Sequence, residues 1–266
     1  MKIKFYLDKL CLTFPRTLVR AVKQDGVKGA YLALCELFSR VPFPVRLGQW
    51  GIMRNDYELL NYLDNFTYRE LRCDVVEKYL EKVSSPTIID LGINTGVTVR
   101  WWFSLNKTAT VVGIDMLQEA LDFTSKALAE CEHSGKWLPL CSGVGSRQLP
   151  QVEISINDPL EGTSSILKPS GPYKRSIRLD TVDNLIAPLG LKKIDLIKCD
   201  IEGSGGHALL GATDTLRITE YVVAETHDYE ERVGIYNACL EAGFTLFRPF
   251  GRTLWWSRKA IEELGD

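Results

Sequence analysis

The chain has 266 residues, of which 45% are hydrophobic and 25% charged, a composition typical of a folded globular protein that excludes disorder as its main state. Its 32 Lys and Arg against 34 Asp and Glu leave a net charge of −2, so no nucleic-acid partner is expected. The length predicts one large α/β domain, or one domain with an appended N-terminal piece, rather than several equal domains.

The cysteines indicate a reducing compartment. There are seven, an odd number, and none forms the Cys-x-x-Cys pair that is typical of zinc or redox sites. No uncharged apolar run reaches the roughly 18 residues that a membrane-spanning helix needs, and no clear signal peptide is recognised. We therefore expect a cytoplasmic protein with reduced cysteines.

Residues 1–46 are unusually basic, with nine basic residues against three acidic ones. Apolar residues such as Phe5 and Leu7 lie between the charges, and two interpretations stay open. Helices here would pack against the following domain and cover its site, or a basic amphipathic element would contact an anionic membrane surface from inside the cell. Val41-Pro42-Phe43-Pro44 then breaks any helix. We assign residues 1–85 to a mainly helical N-terminal extension.

From residue 86 onward, short apolar runs alternate with longer helical patterns, which is typical of βαβ units and a parallel sheet. Several runs lack period-2 polarity, as expected when helices cover both faces of the sheet. The strand candidates are Thr87–Leu91, Thr110–Ile114, Trp137–Cys141, Asp195–Cys199 and Tyr221–Glu225.

Apolar residues at three- and four-residue spacings predict crossover helices over Gln118–Cys131 and Glu230–Ala242. The tail predicts two strands, Phe244–Phe250 and Thr253–Ser257, around a tight turn. Residues 86–266 are therefore expected to form an α/β domain. Its fold would be a Rossmann-like, doubly wound, mostly parallel seven-stranded sheet with a C-terminal antiparallel hairpin.

The segment from Asp90 to Gly96 follows the first predicted strand with the spacing D-x-G-x-N-x-G. Dinucleotide sites have G-x-G-x-x-G, so this turn is not built for a pyrophosphate. Asp90 instead suits a ligand with a positive amino group, and Gly92 and Gly96 let the backbone approach that ligand closely. Asn94 tolerates unusual backbone angles and offers amide hydrogen bonds, and Thr95 completes the cradle. S-adenosylmethionine has the required character.

A second acid, Asp115, ends the next predicted strand, nineteen residues after Gly96. In a doubly wound sheet this acid lies beside the first turn and accepts both ribose hydroxyl protons of a bound nucleoside. Met116 is expected to complete this part of the cofactor site. The alternative is that Asp90 and Asp115 only cap helices.

Four later segments are similar to motifs of one family. They are Arg178–Leu185, similar to R-x-L-D-x-L; Ile194–Gly203, similar to I-D-L-L-K-I-D-V-E-G; Leu209–Ala212, similar to L-x-G-A; and Val222–His227, a strand ending in E-x-H. With the turn, they make residues 86–250 resemble the FkbM family of class I S-adenosylmethionine-dependent methyltransferases. The resemblance implies transfer of a methyl group to oxygen atoms of glycans or natural products.

The chain departs from the family pattern at three places. Asp115 stands where the family often has Glu followed by Pro, and Ser204-Gly205-Gly206 lacks the second acid of the D-V-E-G-A-E block. After the third strand there is no acid to contact the adenine amino group. We expect a hydroxyl contact from Ser142 or a backbone contact near Val144 instead.

Four polar side chains are expected around the pocket, because ligands bind at the carboxyl ends of parallel strands. They are Asp200, Glu202, Glu225 and His227. His227 is the expected general base, since its unperturbed pKa of about 6.5 suits proton transfer near neutrality. Asp200 or Glu225 would orient it or hold a substrate hydroxyl, Asp200 is also expected to contact the cofactor, and Glu202 is expected to bind the acceptor. A purely structural role for the histidine stays the alternative.

No metal ion is expected at these residues. The alternative, that Asp200, Glu202 and Glu225 bind a divalent cation that polarises a diol, stays open.

The segment Glu161–Leu167 resembles a small polar patch of the same family, so Ser164 and Ser165 are expected to contact the acceptor. Both lie in the Gly-, Pro- and Ser-rich stretch Pro150–Pro172, which is longer than a usual strand-to-helix connection. It is expected to be a lid or substrate-binding loop, or else a flexible excursion.

The sequence therefore predicts an S-adenosylmethionine-dependent methyltransferase acting on a hydroxyl of a sugar or other polyhydroxylated molecule. An N- or C-methyltransferase acting on a small molecule is one alternative. A non-catalytic protein that binds the cofactor or docks through its basic N-terminal segment is another.

Overall fold

The computed structural model describes residues 18–19, 22–23, 26–27, 29–31, 34, 44–46, 51–67, 71–162, 164–167 and 171–259. By its contacts the chain divides into two units, Met1–Arg72 and Cys73–Asp266. The division predicted between residues 85 and 86 stays a prediction. The hypothesis of membrane contact through residues 1–46 rests mostly on residues outside the described ones. Among the residues that the structure describes, no helix combines the length and the apolar character needed to cross a membrane.

The first unit contains a small two-stranded sheet and a short helix. Strand β1 (Val45–Arg46) pairs antiparallel with β2 (Ile52–Met53). Helix α1 (Asp56–Tyr62) begins after Asn55, whose side-chain oxygen accepts a hydrogen bond from the backbone N–H of Glu58 at 3.0 Å. This is the usual N-cap interaction, and the helix then continues into a π-helical turn.

The second unit contains the remaining elements. Its helices are α2 (Asp74–Lys82), α3 (Val97–Leu105), α4 (Gln118–Leu128), α5 (Val182–Ile186), α6 (Gly205–Leu210), α7 (Thr213–Arg217) and α8 (Tyr229–Glu241). Its strands are β3 (Thr87–Leu91), β4 (Thr110–Asp115), β5 (Lys136–Cys141), β6 (Gly143–Val144), β7 (Leu149–Ile156), β8 (Tyr173–Asp180), β9 (Ile194–Cys199), β10 (Thr219–Glu225), β11 (Thr245–Phe250) and β12 (Thr253–Ser257).

Seven strands form the central sheet in the order β11-β12-β10-β9-β3-β4-β5. Only β12 runs antiparallel to its neighbours, and the other pairings from β10 to β5 are parallel. Every residue of β9 is buried, as expected for a parallel strand covered by helices on both faces. The predicted doubly wound sheet with its C-terminal hairpin is confirmed, as are both predicted helices to within a few residues.

The structure also contains a second sheet, which the sequence did not predict. Strands β6, β8 and β7 form it, in that order. Part of the stretch Pro150–Pro172, expected to be an irregular loop, is therefore strand. The physical reason is a period-2 pattern in β7, in which Ile154 and Ile156 are buried and pack with Ile177 of β8. This alternation outweighs the flanking Gly and Pro residues.

The fold brings the predicted site residues to one edge of the central sheet. Because β3, β4, β9 and β10 are parallel, their carboxyl ends lie at the same edge. A buried apolar cluster that includes Ile89, Val112, Ile197 and Val222 fixes these strands against their helices. The loops that follow the strands are therefore held on a rigid base.

Candidate functional site

The turn after β3 has a backbone that requires glycine at two positions. Gly92 has a φ of +82°, and a Cβ atom there would overlap the backbone oxygen of Asp200. Gly96, at the start of α3, has a φ of +68°, and a Cβ atom there would overlap the side chain of Thr124. Asn94 between them also has a positive φ, +49°. The turn therefore has the unusual backbone angles that the sequence predicted, whereas the close approach of its glycines is to Asp200 and Thr124, and their approach to a ligand stays a prediction.

Asp115 closes the turn from the end of β4. Its Oδ2 accepts hydrogen bonds from the backbone N–H groups of Ile93 (3.0 Å) and Asn94 (3.1 Å), and its Oδ1 accepts one from Leu117 at 2.9 Å. Burial raises the pKa of Asp115, while these three N–H groups favour its charged form. The carboxylate is therefore fixed beside the turn by backbone groups.

Asp90 lies beneath the turn and is fully buried. Its Oδ2 accepts hydrogen bonds from Thr98 Oγ1 at 2.7 Å and Trp102 Nε1 at 2.9 Å. Its Oδ1 lies 3.3 Å from Lys198 Nζ. In the structure Asp90 therefore interacts with side chains of the protein itself. Its predicted contact with the amino group of a ligand stays a prediction.

Lys198 is a functional candidate that the sequence interpretation missed. It is buried in β9, and its ammonium group donates to the carbonyl oxygen of Gly92 at 2.6 Å. Burial lowers the pKa of Lys198, but Asp90 and Asp200 outweigh it and raise the pKa, so the amine stays charged. The available signal was a single lysine inside the apolar run Ile194–Cys199.

Two buried oxygen atoms of the turn are without partners. Asn94 Oδ1 and Thr95 Oγ1 have no hydrogen-bond partner among the described residues. Gly162, in the segment between β7 and β8, packs so closely on Asn94 that a Cβ atom would overlap the Asn94 amide. Buried polar atoms are usually hydrogen-bonded, so these oxygens are suited to a polar ligand.

The residues expected around adenine lie in the interior. Ser142 and Val144 are buried, and the Ser142 hydroxyl donates to the carbonyl oxygen of Gly143 at 2.8 Å. Met116 is partly buried and packs on the apolar cluster that includes Leu117, Ile154 and Ile177. The Ser142 hydroxyl therefore already donates a hydrogen bond within the protein. Of the two predicted adenine contacts, the backbone contact near Val144 is the simpler one.

His227 lies within reach of three carboxylates. Its Nε2 is 3.4 Å from Glu202 Oε2, 3.6 Å from Asp200 Oδ1 and 3.7 Å from Glu225 Oε1. The structure thus brings together four residues that the sequence expected to share one pocket. Their side chains are 10–31% exposed, so the group lies at a partly open surface.

Two further residues complete this group and were missed. The buried Glu231, in the first turn of α8, accepts from both the backbone N–H (2.7 Å) and Nδ1 (3.1 Å) of His227. Arg252, in the β11–β12 turn, lies 2.7 Å from Glu225 Oε1 through its Nη2. The contact with Glu231 could have been predicted, because the glutamate follows the histidine by four residues. The contact of Arg252 with Glu225 could not be predicted from the sequence.

The surroundings change the expected protonation of His227. Burial lowers its pKa, but Glu202, Glu231 and Asp200 outweigh this effect and raise the pKa to about 10. The sequence-based expectation that His227 acts as a general base assumed an ordinary histidine pKa of about 6.5. At neutral pH the ring is therefore protonated and cannot accept a proton until it loses one.

The small polar segment predicted near the acceptor lies between the turn and the carboxylates. Ser165 is buried and its hydroxyl donates to the carbonyl oxygen of Glu202 at 2.6 Å. Ser164 is partly buried. The segment therefore spans from Asn94, which Gly162 contacts, to Glu202, and Ser165 acts there as a fixed support.

Comparison with known proteins found no family model and no curated protein that matches the chain. Solved methyltransferase structures are similar in fold. Magnesium protoporphyrin IX methyltransferase from Synechocystis PCC 6803, with bound SAM, is 12% identical, with a TM-score of 0.46 over 80% of this chain and 88% of that one. Fibrillarin from Aeropyrum pernix, also with S-adenosyl-L-methionine, is 10% identical, with a TM-score of 0.41 over 71% and 76%. An rRNA methylase from Streptococcus thermophilus is 14% identical, with a TM-score of 0.40 over 68% and 92%.

Proposed function

We propose that the protein is an S-adenosylmethionine-dependent methyltransferase that methylates an oxygen atom of a sugar, glycan or other polyhydroxylated molecule. The observation that carries this proposal is the turn Gly92–Gly96 with Asp115 fixed against it. A backbone cradle and an acid on neighbouring parallel strands suit the two ends of one amino-acid nucleoside.

The residues present fit this cofactor. The buried oxygens of Asn94 and Thr95 have no partner among the described residues, so they can accept hydrogen bonds from a ligand's amino group. These atoms would hold the amino-acid part, with Asp90 supporting the turn from below. Asp115 and Met116 would hold the ribose side, and the backbone near Ser142 and Val144 the adenine side.

When bound, the cofactor supplies an electrophilic methyl group on a sulfonium. The chain's task is to bring the acceptor oxygen to about 3–3.5 Å from that carbon, in line with the breaking bond, and to exclude water. Asp200 is suited to this position because its backbone N–H donates to Leu91 at 3.1 Å, which ties the end of β9 to the base of the turn. Asp200 therefore lies where cofactor and acceptor would meet.

A hydroxyl acceptor must lose its proton during transfer. Because His227 is already protonated at neutral pH, a carboxylate of Asp200 or Glu225 would take the proton, with the imidazolium orienting that carboxylate. Glu202, Ser164 and Ser165 would contact the acceptor. Asp200 and Glu225 are therefore the proposed proton-accepting carboxylates, and His227 holds them in place.

The sugar-type acceptor and membership of the FkbM family rest on the motif resemblance, above all on Ile194–Gly203 and Val222–His227. The test is an acceptor screen with the full-length protein. Hydroxylated sugars, nucleotide sugars and lipid-linked glycans are offered with S-adenosylmethionine, and S-adenosylhomocysteine is measured. Product with a hydroxylated acceptor supports the proposal. Cofactor binding without any product would favour the non-catalytic alternative.

An N-methyltransferase is the second candidate, and the excess of carboxylates favours it. Asp200, Glu202, Glu225 and Glu231 would attract a cationic amine as readily as they orient a hydroxyl. Amines therefore form a second arm of the screen, and RNA a third. Product only with amines or only with RNA would replace the sugar-type acceptor while leaving the methyltransferase proposal intact.

We also propose that the protein works in the cytoplasm and that residues 1–46 touch an anionic membrane surface. The basic composition of residues 1–46 supports the membrane contact, and the odd number of cysteines without a Cys-x-x-Cys pair supports the cytoplasm. Full-length protein with Lys2, Lys4 and Lys9 replaced by Glu should sediment less with anionic vesicles than the wild type. Equal sedimentation of the two proteins would contradict the membrane contact.

A further inference from the structure

The carboxylate group around His227 contains a set of atoms that matches the donors of a metal site. One ligand atom each from Asp200, Glu202 and His227 lies within 4.8 Å of the others. Asp200 and Glu202 follow β9, and His227 follows β10. Two separate parts of the chain, the loop after β9 and the segment after β10, therefore converge at the edge of the sheet where the cofactor is proposed to bind.

The distances suit a bridging ion better than direct hydrogen bonds. The Nε2 atom of His227 lies 3.4 Å from Glu202 Oε2 and 3.6 Å from Asp200 Oδ1, whereas N–H···O hydrogen bonds span about 2.7–3.2 Å. Two donors that each lie about 2.0–2.2 Å from one ion, at angles of about 90–110°, are about 2.8–3.6 Å apart. The observed separations lie close to the upper end of that range.

The histidine ring is held in the orientation that a metal ligand needs. Nδ1 lies 3.1 Å from Glu231 Oε2, and the other oxygen of Glu231 accepts from the backbone N–H of Gly205 at 2.8 Å. A buried carboxylate therefore fixes one ring nitrogen and leaves Nε2 facing Asp200 and Glu202. Carboxylate-to-histidine contacts of this kind support metal ligands in many proteins.

A buried hydroxyl beside the group is a separate observation. Thr253 lies directly opposite Glu225 in the antiparallel β10–β12 pair, so the two side chains project from the same face. Thr253 is fully buried, yet its Oγ1 has no hydrogen-bond partner among the described residues. This hydroxyl would bind a water molecule of a hydrated ion near Glu225.

The charges are also unbalanced at the point where the donors meet. Lys198 lies 3.7 Å from Asp200, but it is shared with Asp90. Glu202, within the described part of the chain, has His227 as its only cationic neighbour. A divalent cation would neutralise this remaining negative charge.

We propose that Asp200, Glu202 and His227 bind one divalent cation of the Mg²⁺ or Mn²⁺ class, with Glu225 beside it. Two carboxylate oxygens and one imidazole nitrogen suit these ions, and the ion would replace the proton that Nε2 of His227 otherwise carries. If the protein transfers methyl groups as proposed, this metal site predicts the class of acceptor. The acceptor would have two adjacent oxygens, as in a vicinal diol or a hydroxy acid. The ion would hold both oxygens and favour loss of the proton from the one that is methylated, and the carboxylate of Glu225 would take that proton.

The test is titration of the full-length, chelator-treated protein with Mn²⁺, in which electron paramagnetic resonance measures the free ion. We expect one Mn²⁺ per chain, and at least tenfold weaker binding in Asp200→Asn, Glu202→Gln and His227→Ala. Glu153→Gln is the matched control, because Glu153 is an exposed carboxylate on β7 paired with Lys174. Wild-type protein that binds no Mn²⁺, or variants that bind it as tightly as the control, would overturn the metal site.

Two measurements keep this result separate from the proposed function. Circular dichroism shows whether each variant folds, and Glu202→Gln is the variant least built into the core, since its side chain is 31% exposed. Calorimetry measures S-adenosylmethionine binding in the presence of a chelator. Cofactor binding without Mn²⁺ binding overturns only the metal site, whereas Mn²⁺ binding without cofactor binding supports the metal site and overturns the proposed function.

Discussion

Lys198 and Asp90 form a buried ion pair directly beneath the glycine turn, with Nζ 3.3 Å from Oδ1. The lysine also donates to the carbonyl oxygen of Gly92, and the aspartate accepts from Trp102. The pair therefore joins β3, β9 and α3 at the point where the cofactor is proposed to bind. It stabilises the turn from inside, where no solvent competes.

This pair should show strong energetic coupling. Asp90→Asn and Lys198→Met should each lower the free energy of unfolding by on the order of 3 kcal/mol, because each leaves a buried charge without its partner. The double variant should lose clearly less than the two single losses together. Denaturant unfolding measures all three, and the exposed pair Glu153 and Lys174 gives the control, with little expected coupling. Strictly additive losses at Asp90 and Lys198 would contradict the account.

Replacement of Gly92 by alanine should destabilise the protein much more than the same replacement at Gly190, where φ is also positive. Gly190 has a φ of +62°, and a Cβ atom there would meet nothing within 4 Å, so Gly190→Ala tests the backbone angle alone, at a cost of about 1 kcal/mol. Gly92→Ala adds overlap with the Asp200 carbonyl oxygen. We expect a larger loss of stability and loss of S-adenosylmethionine binding. Equal effects at both positions would show that the close approach is unimportant.

Much of the fold could be predicted because it depends on local pattern. The apolar runs of β3 and β9, the helical spacing of α4 and the hairpin β11–β12 are all readable along the chain. Strand β7 was also readable, since Ile154 and Ile156 alternate with Glu153 and Ser155, but neighbouring Gly and Pro residues favoured a loop. Local signals conflicted there, and burial of Ile154 and Ile156 in an apolar cluster with Ile177 favoured the strand.

The site was predictable in position but not in chemistry. That Asp200 and His227 share one edge follows from strand order. That Asp90 is buried under Trp102, and that Arg252 reaches Glu225 from a distant hairpin, depends on side-chain packing across the fold. The protonation of His227 depends on the same packing, because its pKa is set by carboxylates brought close only in three dimensions.

His227→Ala should lower turnover by about 10²- to 10⁴-fold and leave the affinity for S-adenosylmethionine nearly unchanged. The reason is that His227 lies among the carboxylates at the acceptor end, whereas the cofactor is proposed to bind at the turn. His207, exposed on α6, is the matched control. Steady-state kinetics and calorimetry measure the two quantities, and wild-type turnover in His227→Ala would exclude a role in transfer.

Glu231 should act as a positioning residue for His227. Glu231→Gln removes the charge that faces Nδ1 and should lower kcat by about 10- to 100-fold with little change in cofactor affinity. Glu230→Gln, one residue earlier and exposed, should behave like the wild type. A purely structural role would instead lower the thermal stability of Glu231→Gln while the kcat of the folded fraction stayed the same.

The most direct test of the central claim is a crystal structure of the full-length protein soaked with S-adenosylhomocysteine. We expect the amino-acid part of the ligand over the turn Gly92–Gly96, its ribose hydroxyls at Asp115 and its sulfur facing Asp200. A ligand bound elsewhere, or no ligand at a concentration that saturates other methyltransferases, would contradict the account.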